Sequence, residues 1–322
     1  MKILVTGAGA VLGQGIIRAL RESALNATVV AADPSPLSAG LYWTDRRHII
    51  PLAKDPSFAG RLEELIDRER PDAVIPGTDV ELHHFAAHRH AWESRYGTHV
   101  VVSSPEVVRI ADDKYLTFQF LRDKGFAVPE SCLPGEEHEL IERIGFPLIV
   151  KPRIGARSIG VTKVEDRSAL ERAIAAGDNV VIQECVATDS DEYTAGALVF
   201  DGTCEASIVM RRDLRDGNTY RAYVDRYPAL DAQVRRMAEA LGAHGPVNFQ
   251  FRVDASGRAK VFEINGRFSG TTPFRMRAGF NEVEMTIRRL VMGERVRQPA
   301  IRPMTILRHF EETVVPAGEL VS

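Results

Sequence analysis

Cysteine is scarce in this chain of 322 residues. Cys132, Cys185 and Cys204 are odd in number, far apart and never in a CxxC pair, which argues against a disulfide framework and a thiolate zinc site. Long apolar runs are missing too. None approaches the roughly 18 residues that would span a bilayer, and residues 1–6 read as a strand rather than a cationic leader. Nor is there an excess of basic charge. With 41 Lys+Arg against 44 Asp+Glu the net charge is −3. That argues against a protein held on nucleic acid by a basic face, because phosphate neutralisation dominates such binding. Internal repeats, low-complexity segments and heptad runs are likewise absent, so a homodimer is allowed but nothing in the pattern demands one. What is present, at 44% apolar residues, reads as a cytoplasmic globular protein of two or three domains.

The first third alternates short apolar runs with helix-period stretches. Ile3-Leu4-Val5 precedes residues 11–20, residues 29–32 follow, and Leu62, Leu65 and Ile66 share a helical face before Ala73-Val74-Ile75. This alternation predicts βαβ units on a parallel sheet. Ser104-Pro105 opens a short helix, and the first domain ends near Asp112. Beyond it the grammar changes. A helix is expected over residues 115–124, a buried strand over 146–151, a loop over 155–160, then strand, helix and strand over 161–164, 168–176 and 180–182. Asp201-Gly202 between apolar runs predicts a hairpin. A helix over residues 231–241, strands over 247–253 and 260–264, and a helix over 282–292 complete the reading.

Several stretches carry chemistry. Gly7-Ala8-Gly9-Ala10-Val11-Leu12-Gly13 follows a strand and opens a helix, where glycines let backbone amides approach a phosphate. The same glycines serve equally for tight strand-to-helix packing. Asp33, 20 residues after Gly13, is placed to hold a ribose as in nicotinamide enzymes. Further on, Asp113-Lys114 begins a helix, Lys151 ends a buried strand, and Arg153, Gly155, Arg157, Ser158 and Gly160 make a cationic, glycine-bearing loop. Cations beside free backbone amides suit a triphosphate. At Ile182-Gln183-Glu184-Cys185-Val186 a strand end offers a backbone carbonyl and amide to an adenine edge, and Glu192 offers a carboxylate to two ribose hydroxyls. Asn248-Phe249-Gln250-Phe251 and Val261-Phe262-Glu263-Ile264-Asn265-Gly266-Arg267 read as paired strands whose Gln250, Glu263 and Asn265 share one face. Oxygen ligands converging there suit Mg²⁺ held jointly with phosphate oxygens, with Mn²⁺ as the alternative. Arg267, in the same phase, can stabilise a transferring phosphoryl group.

In order and spacing these motifs are similar to those of the ATP-grasp superfamily, especially the single ATP-grasp units of carbamoyl phosphate synthetase large subunits and related carboxylate-amine ligases. The resemblance covers most of the chain, from the glycine-bearing start through Asp113-Lys114, Pro147-Leu148-Ile149-Val150-Lys151-Pro152, Glu184-Cys185-Val186 and Glu192-Tyr193 to Glu263-Ile264-Asn265-Gly266-Arg267. It implies an α/β fold, a pre-ATP-grasp Rossmann-like parallel sheet domain (residues 1–112) followed by a two-lobed α+β ATP-grasp module. Its small lid lobe would span residues 113–186, and its C-terminal lobe, with the metal and phosphate site, residues 187–322. By the same resemblance ATP and Mg²⁺ are the cofactors. Lys114 and Lys151 would contact phosphates, Glu184 and Val186 the adenine, and Glu192 the ribose. Gln250, Glu263 and Asn265 would position the metal, and Arg267 would assist phosphoryl transfer. Two positions depart from the pattern. Gly266 stands where many relatives have proline, and the loop over residues 154–159 has one glycine where relatives often have several. Arg157 and Ser158 are expected to compensate by contacting the phosphate chain directly.

The substrate side is built from weaker signals. Arg211, Arg212, Arg215 and Arg221 crowd around Asp216-Gly217, with Arg221 singled out as a further phosphate contact. In Ser269-Gly270-Thr271-Thr272-Pro273-Phe274-Arg275, Arg275 is the candidate carboxylate clamp, with Thr272 beside it. Glu81, in Thr78-Asp79-Val80-Glu81, lies at the carboxyl edge of the first sheet, yet reads equally as the end of a capping box. His83, His84, His88 and His90 lack an HExxH pattern or nearby cysteines and read as exposed helix residues. The activity so implied is an ATP-dependent ligase that joins a small carboxylate to an amine through an acyl phosphate. Its rivals are a carbamate or carboxyphosphate kinase, a carboxylate-thiol ligase and a nicotinamide-dependent oxidoreductase.

Overall fold

The computed structural model describes residues 1–44, 46–155, 158–186 and 192–321. Its first unit is built on β1 (Lys2–Val5), β2 (Thr28–Asp33), β3 (Arg46–Ile49), β4 (Ala73–Ile75) and β5 (His99–Val100), interleaved with α1 (Val11–Arg21), α2 (Phe58–Glu69) and α3 (Leu82–Tyr96). All four strand pairs are parallel, in the order β3-β2-β1-β4-β5. The strands read as unbroken apolar runs because both faces are covered. Ile3, Val5, Ala31 and Ile75 pack with Leu12 and Ile16 of α1, while Leu4, Val30 and Val74 pack with Leu62 and Ile66 of α2 and Phe85 of α3. The chain leaves β1 toward β2 on one side and reaches β4 on the other, so the crevice at the carboxyl ends of β1 and β4 is the switch point where such sheets bind ligands. The two strand ends press so closely that a Cβ on Gly7 would lie 2.6 Å from Thr78 Cγ2, and one on Gly77 would lie 2.0 Å from the Thr6 carbonyl oxygen.

Two helices, α4 (Pro105–Asp112) and α5 (Lys114–Asp123), lead to a small lobe. There β6 (Ser131–Cys132), β7 (Leu148–Pro152), β8 (Thr162–Val164) and β9 (Val180–Glu184) form an antiparallel sheet in the order β6-β9-β7-β8. Between these strands lie α6 (Glu137–Ile144) and α7 (Arg167–Ala176). Leu148, Val150, Val180 and Ile182 pack on Leu140 and Leu170 of these helices, which leaves the alternate residues Ile149, Lys151 and Gln183 on the other face.

The large lobe is a six-stranded antiparallel sheet. It contains β10 (Glu192–Phe200), β11 (Thr203–Arg215), β12 (Asn218–Val224), β13 (Gly245–Val253), β14 (Ala259–Asn265) and β15 (Met304–Leu307), with α8 (Pro228–Leu241), α9 (Thr272–Arg277) and α10 (Glu282–Val291) in the connections. One face packs Ala195, Phe249, Phe251 and Val261 on Val234 and Met237 of α8. The other carries Phe200, Ile208 and Met210 under Phe274 and Phe280 at one end, and Glu192, Gln250 and Glu263 at the other. Val283 and Ile287 of α10 join the core around α1. The last helices therefore clasp the first domain and bring its carboxyl edge against the large lobe. Strands β12 and β15 are absent from the sequence reading, β12 because arginine and tyrosines interrupt its apolar alternation. On the folded sheet those tyrosines pair with arginines of β11, Arg211 lying 3.9 Å over Tyr223 and Arg215 5.3 Å over Tyr220. No helix among the described residues is long and apolar enough to cross a membrane.

Candidate active site

Antiparallel register sets Gln250 of β13 directly opposite Glu263 of β14, and Asn265 follows two residues on along the same face. Gln250 Nε2 and Asn265 Nδ2 donate to Glu263 Oε1 at 2.9 and 3.1 Å. The cluster holds one carboxylate and two carboxamides. Among the described residues no group of three or more His, Cys, Asp or Glu could hold a metal ion by itself. An oxygen-only donor set with one charge fits a hard divalent cation that arrives with phosphate oxygens completing its shell. Around this cluster Arg212 Nη2 donates to Gln250 Oε1 and Glu192 Oε1, both at 2.6 Å. Arg267 Nη2 donates to Asn265 Oδ1 at 2.6 Å and its Nε to Asp79 Oδ1 at 2.7 Å. That last ion pair ties the large lobe to the carboxyl edge of the first sheet.

A cavity of about 540 Å³ opens between the small-lobe sheet and the large lobe, lined by Ile149, Lys151, Cys185, Val186, Glu192 and Phe262 among others. Lys151 is only 5% exposed. Its Nζ donates to Gln183 Oε1 at 2.7 Å and lies 5.4 Å over the Phe262 ring. Burial, reinforced by the neighbouring charge of Lys114, lowers its pKa to about 7 against the pull of Glu263 and Glu192. Lys114 opens α5, where Asp113 caps the helix by accepting from Tyr115 N and Leu116 N. Its Nζ donates to the Gly155 carbonyl at 2.7 Å and so fastens the base of the loop. Ser158, with φ +56°, is exposed and lines the mouth of the cavity, flanked by exposed Ile154, Ile159 and Val161. Arg157 lies outside the described residues. The Glu184 carboxylate accepts from Lys260 Nζ at 2.6 and 2.7 Å and from Glu130 N at 3.0 Å, a strut between the lobes. With that side chain tied back, the backbone over residues 184–186 is what the strand end offers a planar ligand. Glu192 takes Arg212 on one oxygen and Arg252, at 3.1 Å, on the other.

A second cavity, about 770 Å³, lies between the switch point of the first sheet and the large lobe, with Gly77, Thr78 and Asp79 on one wall and Arg267, Ser269 and Thr271 on the other. Lys114, Gly155, Arg212, Gln250 and Glu263 line both cavities. The oxygen cluster is therefore the wall they share.

Three family models match the chain. A PylC-like N-terminal domain covers residues 3–101, a RimK-like ATP-grasp domain residues 111–240, and the family described as ATP-grasp in the biosynthetic pathway with Ter operon residues 180–313. The carbamoyl phosphate synthase large chain of Methanosarcina acetivorans is 25% identical, over 99% of this chain and 32% of its own length. The chain thus spans about a third of that curated relative. The N5-carboxyaminoimidazole synthetase of Staphylococcus aureus, solved with ADP, superposes with a TM-score of 0.76 at 15% identity, covering 93% of this chain and 79% of that one. The L-amino acid ligase of Bacillus licheniformis gives 0.72 at 18% identity, covering 94% and 78%. This chain belongs to the ATP-grasp superfamily.

Five candidates read from the sequence line neither cavity, and one of them, Glu81, takes the capping-box place that the sequence also offered. Arg221 pairs with Asp213 at 3.8 Å and is half exposed. Arg212, paired across the strands with Ala222, takes the inward place because alternation puts the two arginines on opposite faces. Arg275 is fully buried, its Nη1 on Glu282 Oε2 at 2.9 Å and its Nη2 on Asn248 Oδ1 at 2.5 Å. Its carboxylate is internal, so it cannot clamp a substrate. Thr272 Oγ1 donates to the same Glu282. The Arg275–Glu282 pair packs over Gly196, where a Cβ would lie 2.4 Å from Arg275 Nη1 and 2.8 Å from Glu282 Oε2. Glu81 is 4% exposed and accepts from Gly77 N and Thr78 N at 3.1 and 3.0 Å. Burial raises its pKa to about 7, and it shapes the loop whose next-door Asp79 meets Arg267. Asp33 accepts from Gly9 N at 2.7 Å, Ser35 N at 3.0 Å and Ser38 Oγ at 2.5 Å, and so ties the loop after β1 to the turn after β2.

Two further residues line the second cavity that sequence reasoning assigned to no site, His83 being the exposed helix residue it was expected to be. Asp79 was passed over for Glu81, although an Arg267 partner facing the switch point called for an acid at the first turn after β4. His83 lines the second cavity and lies 3.0 Å from Asp112 Oδ2. The helix spacing hid this, because His84 and His88, four apart, turn elsewhere. His84 reaches the Ala53 carbonyl at 2.8 Å, and His88 stacks on Trp92 with 5.1 Å between centroids.

Proposed function

We propose that this chain is an ATP-dependent carboxylate-amine ligase that forms an amide through an acyl phosphate and releases ADP and phosphate. The observation that carries this reading is the meeting of two cavities on one oxygen cluster, flanked by Lys114, Lys151, Arg212 and Arg267. In it the nucleotide occupies the cavity between the lobes and the carboxylate and amine occupy the second. Lys151 and Lys114 hold the phosphate chain, the backbone over residues 184–186 reads the adenine, and Glu192 accepts from the ribose. Gln250, Glu263 and Asn265 would hold Mg²⁺, or Mn²⁺ on the same donors, and the ion would supply neutralisation of the phosphate charge. A carboxylate oxygen attacks the terminal phosphorus as the bond to the ADP oxygen breaks, with Arg267 neutralising the equatorial charge. The amine nitrogen then attacks the acyl carbon and expels phosphate, and its proton can pass to the His83–Asp112 pair on the cavity wall. The acyl phosphate must be kept from water, and Ser158 and Ile159 on the lining of the nucleotide cavity would help to exclude it.

The experiment is ADP release with MgATP over a pool of amino acids and small carboxylates, with Glu263→Ala and Lys151→Ala as controls. Substrate-dependent ADP lost in both variants supports the reading, and silence combined with no nucleotide binding sinks it. The rival is a carboxyphosphate kinase, in which bicarbonate is the phosphorylated acid. Bicarbonate-dependent ADP release would select it. A homodimer and a cytoplasmic location belong to the same proposal. Three free cysteines support the second, and light scattering at assay concentration tests the first.

A further inference from the structure

One arginine of the second cavity has no counter-charge among the described residues. Arg308 follows the last residue of β15, its backbone N donating to the Tyr220 carbonyl at 2.9 Å. Its half-buried guanidinium lies 4.8 Å over the Phe274 ring and gives one donor, Nη2, to the Gly270 carbonyl. Among the described residues no carboxylate pairs with it. The other arginines of this region each have one: Arg212 has Glu192 at 2.6 Å, Arg267 has Asp79 at 2.7 Å and Arg275 has Glu282 at 2.9 Å. The charge that acts on Arg308 is the like charge of Arg18, which adds to burial in lowering its pKa. A guanidinium stays protonated in proteins, and a charge held away from water without a partner is costly. The missing anion therefore belongs to a ligand.

Its location says which part of the ligand. Arg308 lines the second cavity and not the nucleotide cavity, so it does not serve ATP. The acid that is phosphorylated must lie at the wall carrying Glu263 and Arg267, whereas Arg308 is fastened to the Gly270 carbonyl on the stretch of lining formed by residues 269–271. A planar fork with a single neutral acceptor taken matches a carboxylate bidentately.

We propose that Arg308 anchors a second, unreacting carboxylate, so that the substrates include either a dicarboxylate or an amine that itself bears a carboxylate, such as an α-amino acid. The identification of this carboxylate as the unreacting one rests on the ligase reading above. The test is equilibrium binding by thermal shift and calorimetry to the MgADP-loaded full chain. The probes are the common α-amino acids and the four- and five-carbon dicarboxylates, each beside its amide twin and a phosphate-bearing analogue. Expected are at least one carboxylate probe that binds, an amide twin tenfold or more weaker, a tenfold or greater loss in Arg308→Gln with partial recovery in Arg308→Lys, and unchanged MgADP affinity throughout. Amino acids and dicarboxylates separate the two substrate classes. Equal binding to Arg308→Gln, equal binding of the amide twins, preference for the phosphate analogue, or no probe bound by wild type that holds MgADP would each overturn the anchor. So would loss of MgADP binding in both variants, which would make the residue structural. Carboxylate binding as expected, in a protein that never cleaves MgATP, keeps the anchor and removes the ligase.

Discussion

Lys151 turns nucleotide binding into a function of pH. In the free protein its ammonium is held near neutrality by burial and by Lys114, with a pKa of about 7. A triphosphate is the opposite charge the site lacks, so the bound form holds the proton well above that value. Affinity is therefore full below about pH 7 and is lost as pH rises through it, the dissociation constant growing as one plus ten to the power of pH minus seven. From about pH 6 to about pH 8 that is roughly tenfold, or about 1.4 kcal/mol, with about half a proton taken up on binding at about pH 7. Calorimetry of MgADP in buffers of different ionisation heat reads both quantities, with saturating Mg²⁺ keeping the nucleotide's own titration out of the range. Lys151→Met removes the slope, binding more weakly at low pH and approaching wild type at high pH. A wild-type affinity flat across this range, or a slope that survives in Lys151→Met, would refute the burial argument.

Other consequences are as direct. Arg275→Met leaves the buried Glu282 charge without its cation, with only the Thr272 hydroxyl on it, and is expected to lower unfolding free energy by about 3–5 kcal/mol, most of it restored when Glu282→Met is added. Urea unfolding of the four proteins measures this, and a single-variant loss under about 1 kcal/mol contradicts it. Arg212→Ala is expected to lower the rate of substrate-dependent ADP release by about a hundredfold or more through loss of its place beside Gln250 and Glu192. Arg221→Ala, at a half-exposed pair, changes it by no more than about twofold. The reverse order would restore the sequence-based choice of Arg221.

The parallel sheet was legible because strands buried on both faces announce themselves as apolar runs. The shared face of Gln250, Glu263 and Asn265 was legible because a period of two survives in a hairpin closed by a short turn. What the sequence hid is long-range partnership. Nothing near Arg275 says that Glu282 and Asn248 consume it, and nothing near Arg212 and Arg221 says which faces inward until the register of β11 with β10 and β12 is known. Glu81 and Asp79 are two residues apart in one turn, and only the fold decides that one shapes the loop while the other meets Arg267. Arg308 stood outside every motif, since its setting is made by Gly270 and Phe274 from elsewhere in the chain.

The central claim, phosphoryl transfer to a substrate carboxylate, is tested most directly by isotope. With the carboxylate identified from the pool and labelled with oxygen-18, turnover with MgATP should place one labelled oxygen in the inorganic phosphate and leave the other in the amide. Label that appears in AMP, or phosphate that stays unlabelled while amide accumulates, would contradict the acyl-phosphate route.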